Sequence, residues 1–163
     1  MKTLKGLILL TRPVNAVICG LSVFCGAIIG DPISRTAGFF AASQSESPAD
    51  MQSMRLRIIS EILSAPLILS AGNVFNDVRD VATDHINMPH RPIPSGMVSV
   101  TTASVFTAIL AIAGLALSIP LGACGIAVAF FAVVTLAVYD IRLKSVPLAG
   151  NIAVSLLAGL AFV

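Results

Sequence analysis

The chain has 163 residues, 56% of them hydrophobic and only 11% charged, with a formal net charge of +2 and a mean hydropathy of +0.96. A soluble domain usually carries about 25% charged residues, so these charges are too few to cover a globule, and lipid is the natural solvent. The small net charge speaks against a nucleic-acid polymer as partner.

In chain order, the first apolar run covers residues 7–29, about the length that crosses a bilayer. Lys2 and Lys5 precede it, and Arg12 and Pro13 fall near its start, so it reads as a retained first span rather than a cleaved signal. A stretch rich in Ser, Gln, Glu and Pro follows over residues 31–57 and reads as a polar loop. The second run covers 58–75 and continues as a polar helix to Asp84. Pro89, Pro92, Pro94 and Gly96 then make a stiff, non-helical connection. The third run covers 100–117 and is stopped at Ser118-Ile119-Pro120, and the fourth covers 121–139. A fifth starts at Asn151 and is still apolar at Val163. The fold class is therefore an all-α polytopic transmembrane bundle, with four full spans and a truncated fifth. Residues 1–163 read as the N-terminal part of a single membrane domain. Cys19, Cys25 and Cys124 lie inside apolar runs without metal-ligand spacing and read as small packing residues.

Lys2, Lys5 and Arg12, then Arg79 and Arg91, then Arg142 and Lys144 fall on one side if the spans alternate. Only Arg35, Arg55 and Arg57 fall on the other, beside Asp31, Glu46 and Asp50. The positive-inside rule makes the first side cytosolic. The expected location is the cell membrane, multi-pass, with the N-terminus and the Asp-rich region 73–99 facing the cytosol.

That region carries the chemistry. At about 100° per residue, Asn73, Asn76, Asp77, Asp80 and Asp84 fall within one arc, with Val74, Val78 and Val81 off it. Carboxylates at these spacings repel one another, the helix C-terminus adds to that cost, and a bilayer adds more. Something cationic must offset them. Oxygen-only ligands point to a hard cation, and Mg²⁺ is typically held by one or two carboxylates plus substrate phosphates. Arg91 follows the strip, Tyr139, Arg142, Lys144 and Asn151 lie in the next loop on the same side, and Arg12 and Asn15 stand at the cytosolic end of the first span. The bases among them suit a diphosphate group. They also suit simple membrane anchoring. His85 projects away from the acidic face and reads as a surface residue.

These residues resemble a known family. Asn-Asp-Val-Arg-Asp-Val-Ala-Thr-Asp at 76–84 is similar to the first Asp-rich motif, NDxxDxxxD, of the UbiA superfamily of intramembrane prenyltransferases. Arg-Pro-Ile-Pro-Ser-Gly at 91–96 is similar to the stretch that follows it, and Arg-Pro-Val-Asn at 12–15, Tyr139, Lys144 and Gly150-Asn151 have counterparts too. The resemblance implies a helical bundle of about nine spans, each of bilayer length, and Mg²⁺-dependent transfer of a polyprenyl group from its diphosphate to an acceptor. It implies catalytic roles for Asn76, Asp80 and Asp84, and metal binding by Asn76, Asp77, Asp80 and Asp84. It implies substrate contacts by Arg12, Asn15, Asn73, Arg91, Tyr139 and Lys144, with Tyr139 on the acceptor side. Within the family, the sequences at 12–23 and 85–96 are most similar to archaeal-type enzymes that alkylate geranylgeranylglyceryl phosphate in ether-lipid synthesis. Enzymes that prenylate 4-hydroxybenzoate for quinones share much of the motif. The family also carries a second Asp-rich motif, which this stretch of sequence does not contain, and the long 31–57 connection departs from its pattern. Outside the family, an acidic strip of this kind also suits a cation transporter, or a non-catalytic membrane scaffold.

Overall fold

The computed structural model describes residues 2–30 and 48–160, and every regular element among them is helical. The helices are α1 (Lys2–Leu10), α2 (Pro13–Gly30), α3 (Pro48–Arg79), α4 (Val81–Asn87), α5 (Val100–Leu117), α6 (Gly122–Ile141) and α7 (Pro147–Leu160). Single 3₁₀ turns at Ile119–Leu121 and Leu143–Ser145 join the last three. α3 is the central element, packed along α5, α2 and α6.

The first span is two helices rather than one. Residues 7–29, read as continuous from their length, bend by 43° between α1 and α2. The cause is Arg12-Pro13. Pro13 lacks an N–H and disfavours a helical residue before it, and Arg12 adopts φ 51°. That left-handed conformation costs a non-glycine residue about 1–2 kcal/mol. Pro13 then occupies the first helical position of α2, where its missing donor costs nothing, and the Arg12 carbonyl accepts from Asn15 and Ala16.

The polar stretch 31–57 needs correction at its end. Residues 31–47 lie outside the described residues, but 48–57 form the first turns of α3, which Pro48 begins. Arg55 and Arg57 are thus exposed helical residues. The apolar part of α3, Arg55–Arg79, is long enough to cross a membrane, and so is the apolar stretch Val100–Ile141. The latter has 42 residues, about twice what one crossing needs. It is interrupted at Ile119–Leu121 and at Gly122, whose φ of 78° suits glycine.

α5 begins where Ser99 caps it, accepting from the Thr102 N–H at 3.0 Å. It crosses α3 at Gly114, where Ser64 donates to the Gly114 carbonyl at 2.8 Å. A Cβ on Gly114 would stand 2.6 Å from Ile68 Cγ1. This is the small-residue contact that lets membrane helices approach closely. The main buried cluster joins Leu10, Ala71, Val74, Ile93, Val98, Ala103 and Leu110. It therefore lies beneath the acidic strip and fixes α1, α3, α5 and the proline-rich connection to one another. Outward-facing Ile109, Ile112, Phe130 and Phe131 are exposed, as expected of helices solvated by lipid.

Candidate functional site

α3 carries the strip to Arg79, and α4 continues it from Val81. Asp80 sits at the junction with φ −93° and ψ 6°. The helical ladder is retained across it, with Asp80 N–H donating to Asn76 O at 2.9 Å and Asp84 N–H to Asp80 O at 2.8 Å. The strip therefore keeps one face, as the periodicity predicts. Val74, which lies off that arc, is fully buried in the core, and that anchors the rotation of the helix.

Each acid meets a base from elsewhere in the chain. Asp77, 5% exposed, accepts from Arg12 Nη2 at 2.8 Å and from Arg91 Nη1 at 3.4 Å. Asp84, equally buried, accepts from the same Arg91 nitrogen at 2.7 Å. Asp80 pairs with Lys144. The hydrogen bond that Arg91 donates to Asp84 raises the pKa of Arg91 above its ordinary value, opposed by desolvation and aided by the charges of Asp77, Asp84 and Asp80. Losing one partner of such a pair leaves the other as an uncompensated charge in a poorly solvated place, which costs about 3–5 kcal/mol when fully buried.

The bend in the first span contributes a second connection. Ending α1 at Leu10 frees the Thr11 carbonyl. Asn73 Nδ2 donates to it at 3.3 Å and Ser70 Oγ at 3.5 Å. Asn73 is thus turned toward the α1–α2 joint. The same joint aims Arg12 at Asp77. Asn76 is half-buried beside these pairs. Asn15 is exposed on α2, and among the described residues no hydrogen bond ties its side chain to the strip. Tyr139 lies half-buried on α6 against Gly150, where a Cβ would be 3.3 Å from its ring. Among the described residues, no three carboxylate, imidazole or thiol groups stand together as a metal-ligand set. The acids Asp77, Asp80 and Asp84 are engaged by bases instead.

Three features were not read from the sequence. Ser70 and the Thr11 carbonyl act only through tertiary contact. Asp140, at the end of α6, is 3% exposed. Its signal was an acid ending an apolar span with Lys144 four positions on. An apolar furrow of about 350 Å³ runs between α2 and α3, lined by Ala16, Val17, Gly20, Leu21, Phe24, Ile62 and Pro66. It begins one turn beyond Arg12.

A helical membrane protein with a paired strip of acids and bases at the end of its central helix is the class that fold and site define. The UbiA prenyltransferase family matches residues 33–163; this chain belongs to that family. It is 38% identical over 160 residues to digeranylgeranylglyceryl phosphate synthase of Methanoculleus marisnigri, covering 98% of this chain and 50% of the relative. It is 34% identical over 158 residues to the synthase of the same name from Sulfolobus acidocaldarius, covering 97% and 50%. A solved structure from work on "the biosynthesis of Digeranylgeranylglyceryl phosphate synthase in membranes" superimposes with a TM-score of 0.76 at 27% identity, covering 99% of this chain and 52% of that one. The chain spans about half the length of the curated relatives it matches.

Proposed function

We infer that the whole protein transfers a polyprenyl group, geranylgeranyl in particular, from its diphosphate to geranylgeranylglyceryl phosphate in ether-lipid synthesis. The observation that carries this reading is the strip itself: acids suited to a hard cation, interleaved with bases suited to a diphosphate, at the end of a membrane helix. The names of the relatives favour the lipid acceptor over an aromatic one such as 4-hydroxybenzoate.

The donor set fits Mg²⁺. It offers oxygen ligands only, and one or two carboxylates beside substrate phosphates suffice for that ion. Asn76, Asp80 and Asp84, supported by Asp77, would hold it. When bound, it neutralises charge on the diphosphate oxygens. Arg12, Arg91 and Lys144 bind the same diphosphate and stabilise it as it leaves. The allylic C–O bond breaks with its electron pair on the diphosphate, the acceptor hydroxyl oxygen bonds to the resulting carbocation, and its proton is released. The furrow from Ala16 to Phe24 gives the prenyl chain an apolar path beside Arg12. In this reading the protein is multi-pass in the cell membrane, with the N-terminus and the strip cytosolic.

Membranes carrying the protein from its complete reading frame, supplied with labelled geranylgeranyl diphosphate, test it. The expected product is labelled digeranylgeranylglyceryl phosphate, formed only with divalent cation. Labelled prenyl-hydroxybenzoate alone would move the reading to the quinone branch. No cation-dependent diphosphate release with any acceptor would end it.

A further inference from the structure

Asp140 has a burial and a position that the mechanism above does not use. Its side chain is 3% exposed at the last turn of α6. Among the described residues no hydrogen bond or ion pair reaches its carboxylate. It lies on α6, which packs along α3, four residues before the lysine that pairs with Asp80 of the strip. A carboxylate at a helix C-terminus meets the negative end of the helix dipole, and burial without a direct partner disfavours its charge further. Packing offers no compensation for a charge there.

Lys144 supplies the reason for it. The chain leaves α6 through the turn at Leu143–Ser145, with Arg142 N–H on Val138 O and Val146 N–H on Leu143 O. Lys144 then reaches back to Asp80. The ammonium thus pairs directly with Asp80, and Asp140 is the buried acid at the base of the turn that carries it. An Asp80 committed to a cation no longer holds Lys144, and Asp140 is the anion that remains.

We propose that Asp140 is a positioning residue that keeps the Lys144 ammonium beside the strip when Asp80 is engaged by bound cation and diphosphate. This rests on the prenyl-diphosphate reading above. The test uses the protein from its complete reading frame in nanodiscs, with inorganic diphosphate plus Mg²⁺ as one probe and Mn²⁺ alone, followed by electron paramagnetic resonance, as the other. Asp140→Asn should weaken diphosphate binding about tenfold, the worth of one charge-assisted contact, and Asp140→Glu should restore most of it. In a Lys144→Met background, Asp140→Asn should add nothing, because residues acting through one another are non-additive. Mn²⁺ binding without diphosphate should be unchanged by Asp140→Asn. Additive losses in the double variant would overturn the proposal, and so would weaker Mn²⁺ binding, which would make Asp140 a cation ligand. A lower unfolding temperature with unchanged diphosphate binding would make it a packing residue only. A wild-type protein that binds no diphosphate would instead defeat the underlying reading.

Discussion

Arg12 and Asp77 lie 65 positions apart, and their side chains meet at 2.8 Å. The pair exists because Pro13 ends one helix and starts another, turning Arg12 inward at the joint. Asp77 is buried and has a second partner in Arg91, which softens the loss of the first. Arg12→Ala should therefore destabilise the protein by about 1–2 kcal/mol, less than a sole buried pair would cost. In the Asp77→Asn background the same substitution should cost less again. Thermal unfolding in detergent of all four proteins reads this directly, and strictly additive costs would show that the two side chains are energetically independent.

One nitrogen of Arg91 serves both Asp77 and Asp84. Its remaining donors are thereby left for a ligand, a division that a lysine ammonium on a flexible stem reproduces poorly. Arg91→Lys should lower diphosphate affinity about tenfold while leaving the unfolding temperature within a few degrees of wild type. Calorimetric titration of inorganic diphosphate with Mg²⁺ measures the first. Undiminished affinity would assign Arg91 to structure alone.

Asp80 and Asp84 are the acids on which the cation role falls in the proposed function. Asp80→Ala and Asp84→Ala should each reduce cation-dependent diphosphate release in membranes by at least about a hundredfold. Wild-type turnover in both would show that the strip is structural.

Gly114 has no room for a side chain, since a Cβ would meet Ile68 at 2.6 Å and the Ser64 carbonyl at 3.2 Å. Gly114→Ala should destabilise by about 1–3 kcal/mol, overpacking outweighing the gain in helix propensity of about 1 kcal/mol. Gly159, with nothing within 4 Å of its would-be Cβ, is the control, and Gly159→Ala should be neutral or mildly stabilising. Equal effects at the two sites would refute the close crossing of α3 and α5.

Ala16 lines the furrow between α2 and α3. Ala16→Phe should fill part of it and raise the KM for geranylgeranyl diphosphate several-fold more than that for a shorter prenyl diphosphate. A uniform change across chain lengths would mean that the prenyl chain lies elsewhere.

Helix extents and the shared acidic face were legible because both follow from short-range periodicity. The Ser118-Ile119-Pro120 stop bounds the 100–117 run in the sequence, and α5 keeps those limits. The bend at Arg12 was hidden because apolar length dominates a reading of 7–29, although Pro13 was in view. The polarity of residues 48–57 predicts a loop, yet a helix that stands clear of lipid can be polar all round. Partner choice was the least legible part. Nothing local tells Arg12 from Lys144 as the mate of Asp77, because that depends on how α2 and α6 lie against α3. A single acid such as Asp140 at the end of an apolar run carries no local signal of its burial.

The ion pairs along the strip also bear on how this protein comes to exist in a membrane. Three carboxylates face three cations drawn from the α1–α2 joint, the proline-rich connection and the turn after α6. The acids of the strip are therefore balanced by bases of the same chain. Assembly of this part of the bundle should on that account need no divalent ion, and the unfolding temperature of the ligand-free protein should be indifferent to a chelator.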